Sequence, residues 1–272
     1  MTYNELETSN ELGAPIRLYE FRLLDKYWRF TSANTRVSAL GSIWEPSAID
    51  DDGVKQTGEI NADTLSISMP NTSPIVNMFV GTPPGSQVVL TIRQMHVGAD
   101  DPVVCYVGNV DSVNQGDNPA KAVLSCNTLS ASMERNGLRL AYSRGCPHAL
   151  YDSQCRVDKA RFEVLATVKT VGGGTVTADA YATKPDGYFA GGYIEWIDPV
   201  YGVERRGIEA HSGNTITIFG TVDGLAGGYI LKTYPGCPRT MTACDTIFNN
   251  ADNYGGIPSM PDTSPFDGNP VF

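Results

Sequence analysis

The chain of 272 residues is 41% hydrophobic and 18% charged, with a mean hydropathy of −0.19, which excludes wholesale disorder and leaves room for one or two domains with cores of their own. Twenty Lys and Arg stand against thirty Asp and Glu, a net charge of −10, and a field of that sign opposes coating of a nucleic-acid backbone. No apolar run approaches the roughly 20 residues that cross a bilayer, and the polar, acidic start has no apolar h-region, so neither membrane spanning nor export through a cleaved signal is expected.

Residues 1–12 lack periodicity and are expected to form a flexible arm. Strands follow at 16–24, 27–31, 37–44, 64–69, 88–96, 103–110 and 121–130, each with period-two alternation or β-branched and aromatic enrichment. Leu65, Ile67 and Met69 against Ser66 and Ser68 is the clearest half-buried pattern. The intervening Asp50-Asp51-Asp52-Gly53, Gly81-Thr82-Pro83-Pro84-Gly85 and Asn114-Gln115-Gly116-Asp117 read as solvated turns. The first of these is not a calcium loop, because the twelfth position from Asp50 is Asn61 and not a bidentate glutamate. Such spacing predicts an antiparallel barrel or sandwich over 13–140.

A second domain, 141–272, opens on an irregular stretch with a helical turn expected after Pro147. Strands return at 162–170, 175–178, 192–197, 203–210 and 215–219, with Gly172-Gly173-Gly174 as a hairpin turn. This predicts a small antiparallel barrel, about 161–233, inserted into a cysteine-bearing segment, and an extended Gly- and Pro-rich close. The fold class is therefore mainly β.

Six cysteines in a chain without an export signal point to a reducing compartment, where thiols serve metals or chemistry more often than disulfides. Cys146 and Cys155 form one couple with eight residues between them, and Cys237 and Cys244 another with six. Gly145-Cys146-Pro147 and Gly236-Cys237-Pro238 repeat a glycine before and a proline after the thiol, which restricts the backbone and frees N–H groups to point at sulfur. Four thiolates in two couples can meet around one centre if the inserted barrel returns its ends to one point. The couples are wider than the two-to-four-residue gap of zinc knuckles and suit an iron–sulfur cluster, with zinc and disulfides as the alternatives. Cys105 and Cys126 lie in strand patterns and read as core.

His148 stands beside the first couple, in a packed role or hydrogen-bonded to a cluster sulfur, with replacement of a thiolate as the alternative, while His96 and His211 end strand-like runs without a partner pattern. No nucleophile elbow and no phosphate loop occurs. Asn71-Thr72-Ser73 matches a glycosylation acceptor without a route to the enzyme that would use it. A carboxylate pair such as Glu195 and Asp198, near Trp196 and Tyr193, would suit glycan hydrolysis, although many such pairs occur by chance in an acidic chain.

Tyr234-Pro235-Gly236-Cys237-Pro238-Arg239-Thr240 with Cys244, followed by Phe248-Asn249-Asn250 and Asn253-Tyr254-Gly255-Gly256-Ile257-Pro258, resembles the C-terminal signature of the phage BR0599 / DUF2163 type of tail proteins. These are similar to the phage lambda tail tip protein L and the hub protein of gene transfer agents. Cys146 and Cys155 match the first half of that family's four-cysteine set, and Tyr193-Ile194-Glu195-Trp196 its inserted barrel. Ile43-Trp44-Glu45-Pro46, Gly58-Glu59-Ile60 and Leu65-Ser66-Ile67 resemble its amino-terminal hub barrel.

The resemblance implies a structural tail hub, not an enzyme, in the virion tail tip of a long-tailed phage assembled in the host cytoplasm. It further implies a homotrimeric ring between the distal tail ring protein and the central fibre or tip attachment protein, with DNA only in transit through the lumen. Cys146, Cys155, Cys237 and Cys244 would then hold a cluster of the 4Fe–4S kind. The alternatives are a zinc-binding interaction module and a tail-associated cell-wall-degrading enzyme.

Overall fold

The computed structural model describes residues 3–9, 13–55, 64–80, 83–115, 118–129, 142–199, 201–222 and 224–260. The chain groups into two compact units, Met1–Arg135 with Pro199–Gly202, and Asn136–Asp198 with Val203–Phe272.

The first unit holds β1 (Pro15–Leu23), β2 (Lys26–Thr31), β3 (Val37–Ala39), β4 (Ser42–Pro46), β5 (Asp50–Asp51), β6 (Leu65–Pro70), β7 (Val88–His96), β8 (Val103–Asn114) and β9 (Lys121–Thr128). They form one nine-stranded sheet in the order β3-β4-β2-β1-β7-β8-β9-β6-β5. Alternation sets its inner face: in β6 Leu65, Ile67 and Met69 are buried and the serines between them are not. Opposite them on β9 stand Cys126, Leu124 and Ala122, and with Tyr19, Phe21, Leu90 and Ile92 these residues share one core. β4 pairs with β2 in parallel, whereas β5 pairs with β6 at the far end of the order. Both lie on the single stretch 42–51, so the sheet returns on itself as the predicted barrel.

Three local features differ from the sequence expectation. The run 37–44 is a hairpin of β3 and β4, turned at Leu40 and Gly41, both with positive φ; an exposed leucine at the first turn position hides the usual Asn-Gly or Asp-Gly signal. Asp50 and Asp51 are strand and not solvated turn: Asp51 has a side chain 1% exposed, which accepts hydrogen bonds from Arg17 Nη1 and from Tyr19 Oη at 2.6 Å. Burial, and then this bond to Asp51, push the Tyr19 hydroxyl far above its ordinary pKa. Residues 3–7 of the expected arm form a short helix, α1 (Tyr3–Glu7), with Leu6 buried. It is held by Glu7 Oε2, 2.8 Å from His96 Nε2, while His96 Nδ1 accepts from the Ala14 N–H at 3.1 Å. A second helix, α2 (Pro74–Met78), takes Ser73 of the glycosylation-like triplet as its N-cap.

In the second unit β10 (Val164–Thr167), β11 (Thr170–Gly172), β12 (Thr175–Thr177), β13 (Tyr193–Asp198), β14 (Gly202–Ser212), β15 (Thr215–Ile218) and β16 (Ile230–Tyr234) form a seven-stranded sheet. Its order is β10-β16-β13-β14-β15-β12-β11. β10 and β11 are separated only by Val168, whose N–H donates to Tyr229 O, and Lys169, whose N–H donates to Thr177 O. One bent strand therefore closes the sheet, pairing with β16 through its first half and β12 through its second. The interior is filled by Val176, Tyr181, Phe189, Ile194, Trp196 and Ile216 among others, and this is the inserted barrel. The expected helical turn after Pro147 is an irregular run of turns instead.

Candidate metal centre

The segment entering the inserted barrel is shaped by one carboxylate. Asp152 accepts from the N–H groups of Ala149 at 3.0 Å, Gln154 at 2.9 Å and Cys155 at 2.5 Å. The Cys155 N–H foremost holds its carboxyl below the usual range. Wrapping 149–155 around Asp152 brings Cys155 back toward Cys146.

On the exit side β16 ends at Tyr234, and Gly236 passes against the backbone of Ala190 and Gly191 so closely that any Cβ there would overlap them. That approach requires glycine and sets the position of Cys237 next to it. Arg239, at φ 61°, turns the chain into α3 (Met241–Thr246), which carries Cys244. Thr240 caps this helix by accepting from the Ala243 N–H at 3.2 Å. Thr240→Ala is expected to cost about 1 kcal/mol, read as a lower urea midpoint for the second unit, with Thr240→Ser near wild type.

The two segments are then tied by backbone. Cys146 N–H donates to Arg239 O at 3.0 Å and Ile257 N–H to Ser143 O at 2.9 Å. Tyr254 Oη donates to Arg144 O at 2.6 Å, with Arg239 O at 3.1 Å. The result is that Cys146, Cys155, Cys237 and Cys244 line one pocket together with His148, Leu150, Phe248 and Tyr254. Its cavity volume is about 20 Å³.

All six cysteines are free thiols. Cys155 and Cys244 are buried and Cys146 and Cys237 half-buried. Three of the four pocket sulfurs face a nitrogen donor: Cys237 the Arg239 N–H at 3.4 Å, Cys146 the Gly255 N–H at 3.5 Å, and Cys155 the Asn250 side-chain amide at 3.9 Å. Cys244 donates its own thiol to Asn250 O at 3.2 Å. Burial pushes the Cys237 and Cys244 thiols up, and the neighbouring sulfurs push in the same direction. Ionising all four thiols in this pocket would require a compensating positive charge beside them.

Among the described residues no three His, Cys, Asp or Glu side chains are placed to hold one metal ion, although the four cysteines line one pocket. The donor set, four thiols with N–H groups directed at sulfur, fits an iron–sulfur group.

The other candidates lie elsewhere. Cys105, on β8, is half-buried, with Sγ 3.9 Å from Gln94 Oε1, and Cys126, on β9, is fully buried in the first core. His96 belongs to the first unit. His211 sits in the inserted barrel with its ring against Phe189 and its Nε2 3.1 Å from Gly213 O. Glu195 and Asp198 point to opposite faces of β13, since Asp198 is buried with Ile194 and Trp196 while Glu195 shares the other face with Tyr193 and Ile197. Burial works against ionisation of Glu195, but Arg205 at 2.7 Å and Lys159 at 3.2 Å hold its pKa low. The two carboxylates are not an acid–base pair. Asn250 and Tyr254, which help organise the pocket, lie in the stretch that carries the family resemblance, whereas Asp152 does not stand out in the sequence; its Asp-x-x-Cys spacing to Cys155 is the local signal that marks it.

Residues 17–158 match the family described as "Baseplate hub protein, N-terminal attachment domain", and residues 187–264 match "Phage conserved hypothetical protein BR0599". The two matches meet the pocket from its two sides, one containing Cys146 and Cys155, the other Cys237 and Cys244. An uncharacterized protein of Xylella fastidiosa (strain 9a5c) is 23% identical over an alignment of 204 residues that covers 67% of this chain and 42% of that protein, so the chain spans about two fifths of that relative's length. Among solved structures, a chain of the virion of a native gene transfer agent particle superposes with a TM-score of 0.81 at 17% identity over 99% of both chains, which is a likeness of fold.

Proposed function

This chain belongs to the baseplate hub protein family defined by its N-terminal attachment domain, and we propose that it serves as the tail-tip hub of a long-tailed phage or phage-like particle, with a structural iron–sulfur centre held by Cys146, Cys155, Cys237 and Cys244. A baseplate hub protein is a structural component of the virion tail. The finer reading is a homotrimeric ring between the distal tail ring protein and the central fibre or tip attachment protein. The net charge of −10 would keep DNA in transit from sticking to the lumen.

One observation carries the metal reading: four free thiols from both sides of the inserted barrel border a single pocket. When bound, an iron–sulfur group supplies four ligand bonds to that pocket. The chain does the rest. Asp152 and the Thr240 cap preset two of the sulfurs, the Arg239 and Gly255 N–H groups face two, and Phe248 with Leu150 excludes water. Cross-linking of this kind converts binding energy into folding energy, which suits a subunit that must hold its shape in a tail. The chain is proposed to be structural and not catalytic.

The test is iron, acid-labile sulfide and native mass on protein purified without oxygen. Iron with sulfide and a trimer, alone or with the distal tail ring protein, is expected. Zinc without sulfide, or metal-free thiols, overturns the iron–sulfur reading; a monomer that stays monomeric beside the ring protein overturns the trimer.

A further inference from the structure

We propose that His148 is a fifth protein residue of the same centre, a positioning residue whose Nδ1–H hydrogen-bonds a sulfur of the group held by the four cysteines; this rests on the iron–sulfur reading. His148 lines the cysteine pocket and also borders the open groove formed with Gln154, Arg156 and Asp252, so its ring stands between the two. Its Nδ1 is buried and has no hydrogen-bond partner among the described residues. A buried ring nitrogen without a partner costs the desolvation of that atom, and such atoms are rare in folded proteins. His211 Nδ1 and Trp196 Nε1 share that state among the described residues, but only the His148 ring lines the cysteine pocket, where a group held by the four thiols would supply the partner.

The ring is also held in place. A Cβ on Gly255 would overlap the imidazole, so glycine at 255 is what admits the ring, and the same Gly255 gives its N–H to Cys146 Sγ at 3.5 Å. One residue thus seats the histidine and serves a ligand sulfur. An N–H directed at sulfur withdraws electron density from the centre and favours its reduced form.

The experiment uses the full-length protein, purified without oxygen, as wild type, His148→Phe and His148→Asn. Phenylalanine keeps a ring against Gly255 and removes the donor, while the asparagine amide nitrogen stands in for Nδ1. Iron and sulfide content, midpoint potential and the deuterium-oxide shift of the iron–sulfur Raman bands are measured. His148→Phe is expected to retain iron and sulfide, with a lower midpoint potential and a smaller deuterium shift; His148→Asn moves both back toward wild type.

A His148→Phe protein with full iron and a wild-type potential overturns the role of His148 and leaves the four-cysteine reading standing. Loss of iron from folded His148→Phe and His148→Asn alike makes the histidine a ligand and overturns the hydrogen bond. Wild-type protein without iron and sulfide overturns the centre itself. Should phenylalanine prevent folding, His148→Leu gives the same comparison with a smaller side chain.

Discussion

Cys155→Ser is expected to strip iron and sulfide from the protein and to unfold the segments around the pocket, whereas Cys105→Ser and Cys126→Ser retain both. The apolar cluster at the pocket is small: Cys155, Val157 and Phe248 are its buried members, with Leu150, Tyr151, Phe162 and Cys237 packed against them. Structural metal in small domains contributes on the order of 10–16 kcal/mol, as much as the whole stability of an ordinary domain, about 5–15 kcal/mol. A cluster of this size does not make good such a loss. The inserted barrel has a separate core without cysteine, so the damage is expected to be local at first: faster hydrogen exchange at 142–158 and 237–257 with the barrel strands still protected. Cys146→Ser, Cys237→Ser and Cys244→Ser should give the same result. Tail assembly by a metal-free variant lacking all four thiols would refute a structural role for the centre.

Asp51→Ala is expected to destabilise the first unit by about 3 kcal/mol. A fully buried ion pair broken on one side costs about 3–5 kcal/mol and a surface pair about 0–1. Here the Asp51 side chain is 1% exposed and that of Arg17 33%, so Arg17 recovers part of its hydration while Tyr19, itself buried, loses its acceptor. Among the described strands β5 pairs only with β6, and the side-chain bonds from Arg17 and Tyr19 tie it to β1. Tyr19→Phe removes one of these bonds and should cost about 1 kcal/mol. Urea unfolding reads both effects, with iron content unchanged. A loss below about 1 kcal/mol in Asp51→Ala would mean that the pairing of β5 with β6 and of β4 with β2 is sufficient for closure.

Strand alternation carried much of the fold in the sequence because it is a local signal. Leu65, Ile67 and Met69 repeat with the period of the pleat, and no distant residue is needed to say that they share a face. The opposite faces of Glu195 and Asp198 were legible in the same way, since an odd spacing on a strand separates side chains, and that parity by itself argues against the pair. The Leu40-Gly41 turn and the five-residue helix α2 were not legible. The first uses a residue outside the usual turn vocabulary, and the second is too short to show a helical period.

At the pocket the division is sharper. Sequence alone determined which thiols stand apart from the strands, because Gly-Cys-Pro recurs at Cys146 and Cys237 and each has a second cysteine within a short loop. It also determined that the chain is built mainly of short strands between glycine- and proline-rich turns. Only the tertiary structure decided that the two couples face one pocket, that His148 lies on its wall with a buried nitrogen that no described residue partners, and that Asp51 is buried under Arg17 and Tyr19. Those facts depend on which strand neighbours which and in what register, and on where an inserted barrel returns its ends. They are set by contacts between residues far apart in the chain, and no local pattern of side chains encodes them.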